Sequence, residues 1–233
     1  MSALTAMQSA AVRLVGYRPS VFFSSQNKFE QEIVDLINEA AVDIARYADW
    51  QSLISVANFV GDSVAESFPL PDDYDRMMLT ASIQDPNNWV WGYCNANSLD
   101  EFLWMKDRGW GPYPGVWTIY GNNFNFYPAP SGGAQFPYIS KNLVKDTTTG
   151  NNKPLFTADN DQFLIRDGER LLTLWLVWRW RENKKLDATG DQENFAKAID
   201  ELAAKDRGSK VYRSGTARNW GNTRVAWPYL LGG

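Results

Sequence analysis

The side chains most able to do chemistry in this sequence are carboxylates that lie close together along the chain. Asp72, Asp73 and Asp75 form the densest acidic cluster outside the helical patterns, and Glu66 or Glu101 would be their candidate partners. Two carboxylates roughly 5 to 9 Å apart supply the acid and the nucleophile or base of a glycosidase. The proline that precedes the cluster is also typical of a helical turn whose backbone amides are capped by carboxylates. Because nothing in the sequence fixes a pair of carboxylates in space, we favour the capping role.

Composition limits the other kinds of catalytic and metal chemistry. The 233 residues include no histidine, 11 tryptophans and one cysteine, Cys94, which we expect to be a small buried residue. Ser-His-Asp and Cys-His catalytic units, thiolate zinc clusters and a disulfide within the chain are therefore excluded. Asp159 and Asp161 lack the glycine and the distant glutamate of a calcium loop, so helix capping explains them better. We expect neither a metal nor a cofactor.

The N-terminal part is helical by its hydrophobic periodicity. Between Asn27 and Tyr47, apolar residues recur at steps of three and four, while acidic residues occupy the other side. Asn27 and Glu30 have the spacing of a capping box at the start of this helix. A shorter apolar pattern before it predicts a first helix that ends at Gly16.

The middle of the chain reads as β structure, because prolines and glycines punctuate short aromatic and β-branched stretches. Val116–Tyr120, a Gly/Asn turn and Phe124–Tyr127 predict a β-hairpin. Phe136–Ser140 is a further candidate strand, and a short helix is expected near residues 98–106. Four tryptophans lie in an aromatic-rich stretch that these patterns do not fully assign: Trp89, Trp91, Trp104 and Trp110.

Helical periodicity returns in the C-terminal third. Thr157 is a typical cap for a helix that runs to about Lys185 and includes Gly168. Apolar side chains, three tryptophans among them, cover most of its circumference, which is typical of a helix at the centre of a bundle. After Gly190, a last helix is predicted over residues 191–205.

Residues 207–233, the arm, differ in charge from the rest of the chain. The arm contains five cations and no acidic residue, whereas residues 1–206 contain 18 cations and 27 acids, so the net charges are +5 and -9. Trp220, Trp227 and Tyr229 are interleaved with the cations. The glycines and weak periodicity of the arm predict that it orders against a partner. Five cations neutralise at most about five phosphates, so docking on an acidic protein surface is favoured over nucleic-acid binding.

Together these elements predict a mainly α fold, a helical bundle with an inserted β-hairpin or β-rich region and an extended C-terminal arm. Residues 1–54 and 155–206 are expected to form the bundle core. Residues 55–154 are the inserted region, rich in β structure and aromatic residues, and residues 207–233 are the arm.

The order of these pieces over about residues 5–206 resembles the head-to-tail adaptor (connector) proteins of tailed bacteriophages. The segments that carry the resemblance are Ala48-Asp49-Trp50 after the first long helix, Phe68–Arg76, Tyr120–Phe124 leading into Tyr127–Pro130, Tyr138–Ser140, and Phe156 with the long helix to Asn183. Their order and spacing together indicate the family more specifically than any one of them. The aromatic-rich stretch from Asn88 to Gly115 departs from the smaller members of the family.

The resemblance implies a structural virion protein rather than an enzyme. Such proteins form a ring, usually of twelve copies, beneath the portal protein, and double-stranded DNA passes through the lumen without sequence specificity. The opposite end of the ring receives the tail nozzle or stopper protein. The expected location is the head-tail junction of the virion, with the host cytoplasm during assembly, and no membrane partner is expected.

The resemblance also implies which residues make contacts. The arm would bind the portal, with these candidate residues: Arg207, Lys210, Arg213, Arg218, Trp220, Arg224, Trp227 and Tyr229. The hairpin is the candidate for subunit or tail contact, through these residues: Trp117, Tyr120, Asn122, Asn123, Phe124 and Phe126. The alternative function is a virion-associated enzyme that cleaves peptidoglycan with carboxylates such as Asp72 or Glu101.

Overall fold

The computed structural model of the chain describes residues 2–78, 83–84, 92–111, 115–132 and 134–206. Of these residues, 42% are helical and 22% lie in strands. The fold is therefore mixed α/β, and the prediction of a mainly α helical bundle is wrong. Several of the strands are only two residues long, and a strand of that length shows no alternation of apolar and polar residues that a sequence could reveal.

The described residues contain five α-helices: α1 (Ala3–Val15), α2 (Lys28–Tyr47), α3 (Leu99–Arg108), α4 (Glu169–Asn183) and α5 (Thr189–Asp206). The strands among the same residues are β1 (Ile54–Phe59), β2 (Ser67–Pro69), β3 (Tyr74–Met77), β4 (Ile83–Gln84), β5 (Gly92–Asn95), β6 (Val116–Tyr120), β7 (Asn123–Tyr127), β8 (Ala134–Ser140), β9 (Val144–Lys145), β10 (Asn152–Lys153) and β11 (Gln162–Phe163).

The chain divides into two compact units. The helical unit takes in the described residues of 2–54 and 139–206, with α1, α2, α4, α5 and a small antiparallel sheet of order β10-β9-β11. The β unit takes in the described residues of 55–138, with α3 and most of an eight-stranded sheet.

α2 begins and ends where the sequence predicts, and α1 ends at the predicted glycine. Asn27 caps α2, because its side-chain oxygen accepts a hydrogen bond of 3.0 Å from a backbone N–H of the first turn. Glu30, the expected second member of a capping box, instead accepts a hydrogen bond from the Tyr17 hydroxyl. The Asn27 N–H donates to Ser25 Oγ. α1 ends at Gly16, whose φ of 78° is a left-handed conformation that glycine adopts without strain.

α4 is the central helix of the helical unit, as its apolar circumference predicts. It packs against α1, α2 and α5. Its buried residues lie on several sides of the helix: Leu171, Leu172, Thr173, Trp175, Leu176 and Val177. The ring of Trp178 stacks on Phe195 of α5, with the ring centroids 5.7 Å apart. The indole N–H of Trp180 donates to Glu32 of α2. The tryptophans of α4 therefore join it to its neighbours.

The predicted start of this helix at Thr157 is wrong. α4 begins only at Glu169, and the preceding residues form turns and β11. A Cβ atom on Gly168 would lie 2.7 Å from the ring of Phe163, so the glycine permits a close approach of β11 to the start of the helix. Gly190, expected to separate the last two helices, lies in the first turn of α5.

Two aspartates predicted to cap a helix hold the loop before β11 instead. Asp159 Oδ1 accepts a hydrogen bond of 3.0 Å from the Phe22 N–H, which ties this loop to the segment between α1 and α2. Asp161 is fully buried, accepts a hydrogen bond from the Thr157 N–H and pairs with Lys153 at 2.8 Å. Aspartate suits both a helix start and a loop, so its presence alone does not decide between them.

The sheet of the β unit has the order β1-β8-β4-β5-β6-β7-β2, and β3 also pairs with β8. β6 and β7 form the predicted antiparallel hairpin, with Val116 opposite Tyr127 and Tyr120 opposite Asn123. The two turn residues, Gly121-Asn122, have φ angles of 60° and 58°. Two positive φ angles are the mark of a type I′ turn, whose twist matches that of the strands. β5 and β6 are parallel.

The two other predicted elements of this region are present. β8 includes the predicted strand Phe136–Ser140. α3 begins after Ser98, whose hydroxyl accepts a hydrogen bond from the Glu101 N–H at 3.1 Å, close to the predicted start. Cys94 differs from the prediction, because it is exposed on β5.

Aromatic side chains form the core of the β unit. Phe124 and Phe126 of β7 and Phe136 of β8 are fully buried, since alternate residues of a strand point to the same face. The ring centroids of Phe124 and Phe136 are 4.1 Å apart, and Phe59 of β1 stacks on Phe136 at 5.1 Å. The hairpin is therefore fixed in the unit by its own aromatic residues.

Candidate functional site

Three of the six hairpin residues predicted to contact a subunit or the tail belong to the core. Trp117, Phe124 and Phe126 are buried among the aromatic side chains of the β unit. Their side chains hold the hairpin in place and leave little surface for another protein. Aromatic residues are enriched both in cores and at interfaces, so residue type alone did not separate the two roles.

The tip of the hairpin is the part that is open to contact. Tyr120 and Asn122 are exposed there, and Asn123 is half-buried. Behind the tip, the buried Asn125 amide donates to the carbonyl oxygens of Tyr120 and Asn123 at 3.2 and 3.0 Å. These bonds hold the tip in one conformation, so the tip would lose little conformational entropy when a partner binds it.

The eight candidate portal-binding residues of the arm, from Arg207 to Tyr229, lie outside the described residues. The structure does show how the helix that leads to the arm is held. Asp206, the last residue of α5, accepts a hydrogen bond of 2.8 Å from the Gln51 N–H. Lys205 pairs with Asp167 at 2.8 Å. The arm therefore starts from a point that is fixed on the helical unit.

A cavity of about 460 Å³ opens beside the end of α5. It is lined by Gln51, Ser52, Arg166, Asp167, Leu202, Lys205 and Asp206. The hydrogen bond from Lys205 lowers the pKa of the Asp167 carboxyl. Two cations and two carboxylates of the lining balance each other, so the cavity offers no excess charge for a small ion.

The acidic cluster singled out for catalysis makes structural contacts. Asp73 accepts a hydrogen bond of 2.6 Å from the Tyr138 hydroxyl, and Asp75 pairs with Arg76 at 2.7 Å. Asp72 lies in a turn between β2 and β3, and the predicted helical turn at this place is wrong.

The two glutamates proposed as catalytic partners are also held. Glu66 pairs with Lys106 of α3 at 2.5 Å. Glu101 accepts a hydrogen bond of 2.8 Å from the Asn97 N–H and so caps the start of α3. Both carboxylates therefore have structural roles that explain their presence.

The contact between Tyr138 and Asp73 predicts a pH effect. Burial, followed by the hydrogen bond to Asp73, raises the pKa of Tyr138 to about 12. This folded-state pKa lies above the value of about 10 for tyrosine in an unfolded chain. The neutral hydroxyl therefore contributes stability that is fully present below about pH 10 and is lost as the pH rises toward 12.

A spectroscopic titration of tyrosinate tests this effect. We expect a component that titrates near pH 12 in the wild type and is missing in Tyr138→Phe. Tyr120→Phe, which changes an exposed tyrosine of the same β unit, is the matched control and should keep the component. An unchanged titration in Tyr138→Phe would show that the hydrogen bond to Asp73 does not hold this hydroxyl.

The outer face of α3 is a surface that the sequence patterns did not assign. Phe102 and Met105 on the inner face are buried against β6 and β7. Outside this stripe, Leu103 is 47% exposed, Trp104 is 52% exposed and Trp110 is 61% exposed. α3 is thus apolar on both sides. The sequence contained a signal for this surface: the segment has more apolar residues than the single buried stripe of a short helix requires, so some of them must be exposed.

The end of α3 fixes the two exposed tryptophans in relation to each other. Gly109 has a φ of 65°, its N–H donates to the Lys106 carbonyl, and the Trp110 N–H donates to the Met105 carbonyl at 3.0 Å. These two bonds are a Schellman motif, in which the residue after the glycine contacts the last turn of the helix. Here the contact joins Trp110 to Trp104, with ring centroids 5.9 Å apart and an angle of 77°.

The described part of the chain has neither a candidate metal-binding cluster nor a helix suited to cross a membrane. No group of three or more cysteine, aspartate or glutamate residues placed to hold a metal ion is found among those residues. No helix within them is both long and apolar enough to span a membrane.

Comparison with known protein families gives a match over most of the chain. The family model described as SU10 adaptor protein matches residues 1–219 of the chain. No curated protein matches it significantly. The family match takes in the described residues of both units and the first part of the arm.

Proposed function

This chain belongs to the SU10 adaptor protein family, a family of phage head-to-tail adaptors, and we propose that it forms a ring beneath the portal and links the portal to the tail. Its family makes it a structural phage protein of the head-tail junction that interacts with portal and tail proteins. The proposal adds a ring of twelve copies, a lumen through which double-stranded DNA passes, and assembly in the host cytoplasm. The family match over residues 1–219 carries it.

The arm is proposed as the portal contact. Its net charge of +5 suits an acidic protein surface, and Trp220 and Trp227 are residue types that dominate binding energy at interfaces. The fixed end of α5 supports this role, because a segment that starts from a rigid point reaches its partner from a defined direction. The proposed portal contacts are the eight residues predicted from the sequence, Arg207 to Tyr229.

The tip of the hairpin is proposed as the contact with a neighbouring subunit or with the tail nozzle or stopper protein. Only Tyr120, Asn122 and Asn123 of the predicted residues are open to such a contact. Their preorganised turn supports the proposal.

The acidic body is proposed to let DNA pass without sticking. Asp35, Glu39 and Asp43 are exposed at every fourth position of α2, so they form a negative stripe on one face of that helix. Negative charge that faced the lumen would repel the phosphates of DNA. An enzymatic function is not proposed, since four of the five carboxylates that suggested it have structural partners.

Electron microscopy of the protein mixed with purified portal rings tests the proposed ring. We expect added density of twelvefold symmetry at one end of the portal, because twelve equivalent arms would occupy twelve equivalent portal sites. The protein alone and the portal alone are the controls. Portal rings that stay bare at micromolar protein concentration would contradict the proposed function.

A further inference from the structure

We propose that the outer face of α3 is a docking surface for the arm of the same chain, residues 207–233, before the protein meets the portal. This inference rests on the proposed function, in which the arm later binds the portal. The surface is formed by Leu103, Trp104 and Trp110, with Asp100 and Asp107 beside them.

The two tryptophans have the properties of binding anchors. They are large, more than half exposed, and held in an edge-to-face arrangement by the Schellman motif at Gly109. Among the described residues, only the inner face of α3 packs against a strand. Rigid exposed aromatic rings lose little entropy on binding, so a partner that covers them gains most of the energy of burying them.

The charges on this face select a cationic partner. Asp100, Trp104 and Asp107 lie at positions i, i+4 and i+7 of α3, which places both carboxylates on the same side of the helix as the ring. Neither aspartate forms an ion pair with another described residue. Asp107 also lies in the last turn of the helix, where the helix dipole disfavours a negative charge. An arginine that stacks on Trp104 would pair with one of these carboxylates, and a second cation of the partner would pair with the other.

The arm has the matching chemistry. It contains five cations, no acidic residue and the aromatic residues Trp220 and Trp227. The guanidinium group of arginine stacks on aromatic faces and pairs with carboxylates at the same time. Its 27 residues reach up to about 90 Å when extended, at about 3.3 Å a residue. Docking on α3 would keep this basic segment from binding nucleic acid or other acidic surfaces before assembly.

Trypsin cleavage of the full-length protein tests the proposal, because the arm contains cleavage sites at Arg213, Arg218 and Arg224. The initial rate of arm cleavage is measured by mass spectrometry in the absence of portal. We expect it to rise about tenfold in the double variant Trp104→Ala/Trp110→Ala, since cleavage follows the population of the undocked arm. The matched control Val60→Ala/Val64→Ala removes two exposed apolar side chains of the same unit and should leave the rate unchanged.

A second variant keeps the rings and removes the charges. In Asp100→Asn/Asp107→Asn, cleavage of the arm at low salt should be faster than in the wild type. The two cleavage rates should converge as the salt concentration rises, because salt screens the attraction between the arm and the aspartates of the wild type. An unchanged rate in either double variant would overturn the proposal. Protection that disappears on dilution would also overturn it, because it would place the arm on a second copy. Portal binding by the wild type is measured separately, so failure there counts against the proposed function alone.

Discussion

Replacing Phe124 with alanine is expected to destabilise the protein by about 3 to 5 kcal/mol. The ring of Phe124 is fully buried, and it contacts the rings of Phe136, Phe59 and Trp117 at centroid distances of 4.1, 5.5 and 5.8 Å. Alanine would leave a cavity that these rings cannot fill without moving the strands that carry them. The contacts of this ring join β1, β6, β7 and β8, so no single strand can move alone to fill the cavity.

Urea unfolding and amide hydrogen exchange measure this effect. The exchange of β6 and β7 amides should quicken in Phe124→Ala, because the hairpin depends on this ring for its place in the β unit. Trp104→Ala is the matched control, since it removes a larger but half-exposed ring from the same unit and should cost less than about 1 kcal/mol. A cost below about 1 kcal/mol for Phe124→Ala as well would show that the aromatic cluster is not the core.

The long periodic elements were predictable because local chemistry and tertiary packing agree there. In α2, the apolar stripe continues over 20 residues, and Asn27 supplies a cap at its start. In the hairpin, Gly121-Asn122 permits the two positive φ angles that a two-residue turn requires. In both cases a single short stretch of sequence contains the whole signal.

The segment before α4 was not predictable for a physical reason. Asp161 fits a helix cap by residue type, yet its ion pair is with Lys153 and its burial depends on the fold of β9, β10 and β11. Gly168 lies at the start of α4 because the ring of Phe163 approaches it, which a linear pattern does not reveal. In each case the two residues are close in space, but their separation along the chain is not the three or four residues of a helical contact.

The candidate site was predictable in part. The family resemblance is confirmed by the match over residues 1–219. Residue type placed Phe124 and Phe126 at a contact surface, whereas the pairing of β7 with its neighbours buries both. The exposed pair Trp104 and Trp110 was missed because periodicity shows that α3 has apolar residues on two sides without showing which side faces β6.

Ending the chain at Asp206 is expected to weaken portal binding at least about a hundredfold. Interface tryptophans commonly contribute about 2 kcal/mol or more each, and the arm provides Trp220 and Trp227 together with five cations. Two such anchors correspond to about a thousandfold in affinity, so a loss of a hundredfold leaves room for contacts made by the rest of the protein. Since α5 is held by its own contacts with Gln51 and Asp167, the truncation removes the arm without removing a core element.

The most direct measurement of the proposed portal attachment is the dissociation constant for purified portal rings, compared between the full-length protein and three variants. One variant ends at Asp206, one replaces the five arm cations with glutamine, and one carries Trp220→Ala and Trp227→Ala. We predict that the truncation has the largest effect and that the two full-length variants are intermediate. Of those two, only the glutamine variant should lose most of the salt dependence. Binding by the truncated protein as tight as that of the full-length protein would contradict the proposed attachment through the arm.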